Sequence, residues 1–244
     1  MTLELLVQHP VYKHILKFTA NVETREKLLR LLQYFVRFLR YYKFSSALNP
    51  NFAKLLPSLQ ATFTMARKPL RCLKPLNHLN AFSICVNDEL SDPVLRYTEA
   101  IKQFGLFFFF SFDGIQWLKL MGLLGGRGYN DHLLKSKFVR NVGKYAAGMW
   151  CLALIGGIIK NLRQFQIYIY RYLDSKSIDD NEDVEYKAPL LSLEKIKREF
   201  VKNVLDFVIA LNLYQDLGIN DGIVGGFGVM TSLITLQDLW NSNK

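Results

Sequence analysis

The side chains whose types and spacing suggest chemistry are the cations between residues 59 and 79. Arg67, Arg71 and Lys74 recur at intervals of three or four, so a helix would carry them on one face, with Lys68 alongside. No Asp or Glu occurs from residue 50 to residue 86, whereas a surface helix normally mixes both signs, because opposite charges four residues apart stabilise it. The pattern favours an anionic surface outside the protein. The cations concerned are Arg67, Lys68, Arg71 and Lys74.

Leucines form a stripe along the same segment, at intervals of three residues, which places them on one side of a helix. Cations beside an apolar stripe are typical of a helix that lies in a membrane interface. Each Lys or Arg near an anionic leaflet contributes roughly 1 kcal/mol to binding. We therefore predict that the leucines enter the acyl chains while the four cations bind lipid head groups. The leucines of this stripe are Leu70, Leu73 and Leu76.

Two prolines interrupt this segment. Pro69 and Pro75 each lack an amide donor and disfavour the preceding turn of an α-helix. The segment is therefore either one kinked helix or two short ones, with Pro69 in the first turn of the second. Both alternatives keep the leucine stripe and the cations in the same rhythm.

The positive charge of the chain is concentrated in its first third. Residues 1–85 contain 13 Lys and Arg but three acids, whereas the remainder is neutral. A basic block interleaved with apolar residues binds nucleic acid, an anionic membrane or an acidic protein. No nucleic-acid-binding module has a recognisable pattern here, so we expect no nucleic acid as partner. An anionic lipid membrane is the expected partner.

Residues for catalysis or metal binding are not arranged in any familiar motif. The sequence contains no phosphate-binding loop, no HExxH and no GxSxG, and its four histidines are scattered. Cys72, Cys85 and Cys151 are odd in number and far apart, which favours a reducing compartment over a disulfide framework or a zinc site. We predict a protein that is not an enzyme, without catalytic residues, metal or cofactor.

Helical periodicity dominates the chain, and strand signals are scarce, so we predict an all-α fold. A first helix should begin near Val11, and a second should span residues 25–43, with Thr24 as its N-cap. In this second helix Leu28, Leu32 and Phe35 mark the apolar side. The opposite side is nearly all cationic, and it carries Glu26, Arg30, Gln33, Arg37 and Arg40. A solvated face and a face that binds lipid or an acidic partner remain alternatives.

The second part of the chain is apolar. Residues 145–159 and 222–237 are uncharged, so each is a candidate membrane span despite being shorter than about 20 residues. Gly122-xxx-Gly126 and Gly222-xxx-Gly226 have the spacing of closely packed helices. Asp113 lies in an apolar stretch, where it should face a neighbouring helix or the interface.

The predicted organisation is a membrane-associated helical bundle in two regions. Residues 1–90 form a basic amphipathic region on the cytosolic face, in contact with the membrane. Residues 91–244 form an apolar region of hairpin-like helices, with an acidic loop at 174–187.

Three segments together resemble the peroxin-eleven family of peroxisomal membrane proliferation factors. They are REKLLRLLQYFVRFLRYY at 25–42, RKPLRCLKPLNHL at 67–79 and GGFGVMTSLITLQDLW at 225–240. The clear match covers roughly the first 85 and the last 20 residues. Pro69 departs from the family pattern, in which an ordinary apolar residue is expected.

The resemblance implies the organelle and the function. It implies a peroxisomal membrane protein that promotes peroxisome proliferation, elongation and division by inserting the segment 59–79 into the cytosolic leaflet. It also implies self-association into a homo-oligomer, and action upstream of a dynamin-related fission GTPase and its membrane adaptor. Two alternatives stay open, namely a pore-forming channel for small metabolites and a helical adaptor that does not contact lipid.

Overall fold

The computed structural model describes residues 7–42, 50–89, 92–124, 136–178 and 187–242. These residues form eight α-helices and a short 3-10 turn, and none of them is in a strand. The all-α prediction is confirmed. The helices are α1 (Pro10–Ala20), α2 (Val22–Tyr41), α3 (Pro50–Arg67), α4 (Lys74–Asn87), α5 (Pro93–Leu120), α6 (Lys137–Ile178), α7 (Lys187–Gln215) and α8 (Asp221–Ser242), and the 3-10 turn is Pro69–Arg71.

The start of α2 differs from the prediction. Asn21, and not Thr24, is the N-cap, because its side-chain oxygen accepts a hydrogen bond from the backbone N–H of Glu23 at 2.8 Å. Thr24 lies one turn further on and is fully buried. Both residue types cap helices well, so residue type alone does not decide between Asn21 and Thr24.

The two prolines divide the basic segment into two helices. Helix α3 ends at Arg67, the 3-10 turn begins at Pro69, and α4 begins at Lys74 with Pro75 in its first turn. A proline is tolerated in a first turn because the amide it lacks would have no partner there. One continuous helix over 59–79 is thus excluded. The segment forms two α-helices, but the second begins at Lys74, so Pro69 opens the 3-10 turn and does not lie in the first turn of the second helix.

Two apolar helices are long enough to cross a membrane. By length and composition alone, Lys137–Leu173 of α6 and Asp221–Ser242 of α8 qualify as candidate spans. They contain the predicted uncharged runs 145–159 and 222–237. Helix α6 continues to Ile178, beyond the predicted start of the acidic loop, and residues 179–186 lie outside the described residues.

Packing joins the basic region to the apolar one. Helix α2 lies along α8, the 3-10 turn contacts α5, and α4 packs on α5, while α6 lies between α5 and α7. Helices α2 and α8 approach closely at Gly225 and Gly228. A Cβ on Gly228 would lie 2.1 Å from Cγ of Tyr34, and a Cβ on Gly225 would lie 2.8 Å from the backbone nitrogen of Phe38.

The predicted glycine pairs are wrong in detail. Along α8 the close contacts with α2 recur at Gly222, Gly225 and Gly228, whereas a Cβ on Gly226 would meet Phe38 at an ordinary 3.8 Å. A Cβ on Gly122 would meet no atom within 4 Å, and Gly122 has φ +78°, so this glycine ends α5 and does not mark a close helix approach. Gly126 lies outside the described residues.

Many ionised and polar side chains are buried between the helices, beside an apolar core that includes Val142, Ile209 and Val224. Large apolar side chains are at the same time exposed on every helix. Paired polar groups inside and exposed apolar side chains outside are expected where lipid covers the exterior. The buried polar residues are Thr24, Glu26, Arg30, Arg67, Lys68, Thr98, Asp113, Asn161, Asn203, Asp206, Asn212, Thr231 and Ser232.

Candidate functional site

A charged cavity of about 560 Å³ lies between the 3-10 turn and the helices from α2 to α7. Volumes of roughly 300–1,000 Å³ are usual for small-molecule sites. Aromatic side chains, among them Phe109, Phe110 and Trp150, form part of its wall. The ionisable side chains that line it are Glu23, Glu26, Lys27, Arg30, Arg67, Lys68, Arg71, Lys74, His78, Lys102, Asp113, Lys202 and Asp206.

Glu26 is the centre of this charge cluster. Helix α2 places its carboxylate among four cations, and its side chain is fully buried. Oε1 accepts hydrogen bonds from Nη2 of Arg67 at 2.7 Å and from Nη2 of Arg71 at 2.5 Å. Nζ of Lys27 and Nζ of Lys74 lie 3.4 and 3.8 Å from Oε2. One carboxylate therefore holds the end of α3, the 3-10 turn and the start of α4 against α2.

Asp113 of α5 completes the cluster from the other side. Its Oδ1 accepts a hydrogen bond from Nζ of Lys68, and its Oδ2 lies 3.4 Å from Nη1 of Arg71. Because Asp113 and Glu26 both bind Arg71, the turn between α3 and α4 is fixed to two helices at once. The expectation that Asp113 faces a neighbouring helix is confirmed.

A second buried pair links three helices. Nη2 of Arg30 in α2 donates to Oδ1 of Asp206 in α7 at 2.5 Å and to Oγ1 of Thr231 in α8 at 3.1 Å. The Arg30 guanidinium also lies 5.9 Å from the ring centroid of Trp150, within the range of a cation–π contact. The cavity is therefore bounded by paired charges on both sides.

The cations control the ionisation of Glu26. Burial alone would raise the pKa of this carboxyl, but Arg71, Lys27, Lys74 and Arg30 outweigh burial and hold its pKa well below the ordinary value of 4.5. Glu26 is therefore ionised at physiological pH.

The structure separates the seven predicted membrane-binding residues into two groups. Arg67 and Lys68 retain only 6% and 7% of their exposed surface, and Arg71 and Lys74 are also mostly covered. The leucines lie on the other side, where Leu73 is 72% exposed and Leu76 is 63% exposed. Leu70 is half-buried. In this conformation the cations therefore bind carboxylates of the same chain, while the leucines point outward.

Sequence reasoning missed the carboxylates that receive these cations. The sequence places Glu26 on one face of a cationic helix and does not show which residues bind Asp113. Glu26 lies within a cationic helix face, and Asp113 directly follows the apolar run 104–112. A single carboxylate in cationic or apolar surroundings usually has a specific partner. This feature of the sequence could therefore have indicated that Glu26 and Asp113 form ion pairs.

The faces of α2 are the reverse of those of a soluble helix. Glu26, Arg30 and Tyr34 are buried, whereas Leu32 and Phe35 of the predicted apolar side are 42% and 46% exposed. Neither face of α2 is thus a solvated basic surface. Among the described residues, no group of three or more His, Cys, Asp or Glu side chains is arranged to hold a metal ion.

Comparisons with known proteins identify the family. The family model for Peroxisomal biogenesis factor 11 (PEX11) matches residues 12–240. The chain is 38% identical to the peroxisomal membrane protein PMP30B of Candida boidinii over 98% of both chains. It is 32% identical to the peroxisomal membrane protein PMP27 of Saccharomyces cerevisiae over 99% of this chain and all of the other.

A more distant relative carries the family name itself. The Peroxisomal biogenesis factor 11 of Schizosaccharomyces pombe is 20% identical over 97% of this chain. No solved structure matches the chain. The family model matches almost the whole chain, and the relatives are named for the peroxisomal membrane. This chain is therefore a protein of the peroxisomal membrane, and it belongs to the Peroxisomal biogenesis factor 11 family, which is a family of biogenesis factors and not of enzymes.

Proposed function

We propose that this protein promotes peroxisome proliferation, elongation and division by inserting the start of α4 into the cytosolic leaflet. The observation that carries the proposal is the exposure of Leu73 and Leu76 beside a turn that is held in place by buried ion pairs. We call these exposed apolar side chains the leucine edge. Its members are Leu73, Leu76, Leu79, Ile84 and Val86.

The leucine edge would enter the membrane because burial of apolar surface is favourable by about 25 cal/mol per Å². Side chains that enter one leaflet only expand that leaflet, and this favours curvature. The turn between α3 and α4 cannot move independently, since Glu26 and Asp113 bind Arg71 from two directions. Insertion of the edge would therefore act on the bundle as a whole.

The four cations have a supporting role in this proposal. They fix the position of the leucine edge by binding Glu26 and Asp113. Direct contact of Arg67, Lys68, Arg71 and Lys74 with lipid head groups stays a prediction, and it would require these side chains to leave their carboxylates. A variant without the carboxylates separates the two roles.

Self-association is a further part of the proposal. The family resemblance suggests that copies of the chain assemble in the membrane and act upstream of a dynamin-related fission GTPase and its adaptor. Many exposed apolar side chains outside the leucine edge, such as Ile155, Ile159 and Leu162 on α6, offer surface for a second copy or for lipid. Crosslinking in isolated peroxisomes tests this part separately.

Peroxisome morphology tests the proposal in cells that lack the endogenous protein. The double variant Leu73→Gln/Leu76→Gln should leave fewer and larger peroxisomes, although it reaches them normally. The matched control is Leu120→Gln/Leu123→Gln, which changes two leucines of similar exposure and the same spacing at the end of α5. If the first variant restores normal peroxisomes as fully as the control does, the leucine edge does not drive proliferation.

A pore for small metabolites is the second candidate function. The observation in its favour is a charged cavity inside a bundle that exposes many apolar side chains. Purified protein in vesicles should then pass small solutes, and charge changes at Asp206 or Lys202 should alter the flux. Vesicles that stay impermeable would exclude conduction without affecting the remodelling proposal.

A further inference from the structure

The cavity lining carries more cations than carboxylates, with eight Lys and Arg side chains against four Asp and Glu side chains. Glu99 and Glu199 lie outside the lining and pair with Lys102, so the positive charge that lacks a partner is concentrated elsewhere in the cavity. Around Glu26 the imbalance is greatest, because this single carboxylate faces four cations. Asp113 adds one further carboxylate, and Lys68 adds one further cation.

Unneutralised charge in a covered site is unfavourable. Desolvation of an ion costs several kcal/mol unless an opposite charge or hydrogen bonds compensate it. The effect is visible at Lys27, where burial, with repulsion from Arg30, Lys74 and Arg71, lowers the pKa to about 8 despite the attraction of Glu26. The cluster is therefore short of negative charge, and a bound anion would supply it.

We propose that this cavity binds a small multivalent anion that carries phosphate or carboxylate groups. Arg67 and Arg71 have guanidinium groups suited to planar oxygen pairs, and Lys27, Lys74 and Lys202 add point charges along the wall. The volume of about 560 Å³ accommodates a metabolite-sized ligand. Trp150 and Phe109, whose rings stack at 5.4 Å, provide an apolar wall for the uncharged part of such a ligand.

Two sources can supply this chemistry. A soluble polyanion would enter from the aqueous phase, whereas a phospholipid would place its head group in the same cluster from the membrane. Both satisfy the cations in the same way. The inference goes beyond the remodelling function, since binding requires neither curvature nor conduction.

Calorimetry on the full chain in nanodiscs of zwitterionic lipid measures the binding. Citrate and inorganic pyrophosphate serve as probes, and chloride at the same ionic strength serves as the reference. We expect saturable binding of at least one polyanion and none of chloride. Absence of saturable binding by both polyanions, together with no effect of anionic lipid in the test below, would overturn the proposal.

Trp150 reports whether the anion binds in the cavity. The variant Trp117→Phe/Trp240→Phe leaves Trp150 as the sole tryptophan. The fluorescence emission of Trp150 should follow the same saturation curve as the heat of binding measured by calorimetry. The same measurement in nanodiscs that contain an anionic phosphoinositide distinguishes the sources. If the phosphoinositide shifts the emission of Trp150 before citrate is added and also weakens citrate binding, the cavity binds a lipid head group. If citrate binds as it does in zwitterionic nanodiscs, the ligand is soluble.

Variants assign the binding to the cations. Lys27→Gln/Lys202→Gln should weaken polyanion binding roughly tenfold or more, because each ionic hydrogen bond contributes substantially to affinity. The matched control Lys197→Gln removes an exposed lysine of α7 that does not line the cavity, and it should bind as the parent does.

Stability separates binding from a merely structural role. Without anion, Lys27→Gln should unfold at the same temperature as the parent or a higher one, since it removes a surplus cation. Lowered stability with unchanged polyanion affinity would mean that Lys27 only supports the fold, and the cavity would not be the anion site. Lys202→Gln alone gives the same comparison if the Lys27 variant does not fold.

Discussion

Arg71 and Glu26 are 45 residues apart in the chain, and two hydrogen bonds join them. Nε and Nη2 of Arg71 donate to Oε1 of Glu26 at 2.9 and 2.5 Å. The pair connects the turn between α3 and α4 to α2. Arg71, which the sequence predicts to bind lipid head groups, therefore forms an ion pair within the chain. It fixes the direction in which the leucine edge projects.

Loss of the Glu26 charge should destabilise the bundle. Glu26→Gln keeps the shape of the side chain but leaves four buried or half-buried cations without their shared carboxylate. Removal of one partner from a buried ion pair costs about 3–5 kcal/mol. Thermal unfolding in detergent, followed by circular dichroism, should show a clearly lower midpoint.

The control for this variant is Glu194→Gln, which changes an exposed acid on α7. It should unfold with the parent. Equal midpoints for Glu26→Gln and the parent would mean that the cluster contributes nothing to stability. The cations would then be free to bind lipid head groups instead.

The depressed pKa of Lys27 predicts a pH dependence of stability. Between its folded pKa of about 8 and its ordinary value of 10.5, the unfolded chain binds more protons at this side chain than the folded one. Stability therefore rises with pH across this window through Lys27. The groups that face it are Glu26 and Arg30 on α2, with Arg71 and Lys74 from the turn and α4.

Lys27→Gln removes this contribution. The free energy of unfolding of the variant should therefore exceed that of the parent by more at pH 7.5 than at pH 10. Chemical unfolding at a series of pH values checks it. A difference that stays constant from pH 7.5 to pH 10 would show that Lys27 titrates as an ordinary lysine.

Gly228 should tolerate no side chain. A Cβ there would lie 2.1 Å from Cγ of Tyr34, so Gly228→Ala must push α8 away from α2. Overpacking of this kind costs typically about 1–3 kcal/mol. Gly226→Ala is the matched control, because its new Cβ would meet Phe38 at 3.8 Å, and alanine favours a helix over glycine by up to about 1 kcal/mol. If both variants unfold at one temperature, the described approach of α2 and α8 is incorrect.

Much of the fold could be predicted because its signals are local. Uncharged runs at 145–159 and 222–237 indicate apolar helices wherever they pack, and Pro69 and Pro75 limit helices through their own missing amides. Gly122 could have been recognised as a helix end from the same local chemistry. The cap at Asn21 could not be predicted, because Thr24, three residues later, has a hydroxyl oxygen that also caps helices well.

The direction of each helix face could not be predicted in the same way. Periodicity shows that α2 has an apolar and a charged side, but it does not show which side faces the interior. Where lipid covers the exterior the charged side turns inward, as Glu26 and Arg30 do. The carboxylates that neutralise Arg67 and Lys68 come from other helices, so no window of sequence around these cations contains their partners.

Electron microscopy of vesicles reconstituted with purified protein tests the remodelling function most directly. The parent and the control Leu120→Gln/Leu123→Gln should draw anionic vesicles into tubules at equal protein density. Leu73→Gln/Leu76→Gln should leave the vesicles spherical. The variant should nevertheless fold and be incorporated into vesicles as the parent is, since substitutions at exposed positions rarely change stability by more than about 0.5 kcal/mol. Tubules of the same number and width with Leu73→Gln/Leu76→Gln would contradict a membrane-deforming role of the leucine edge.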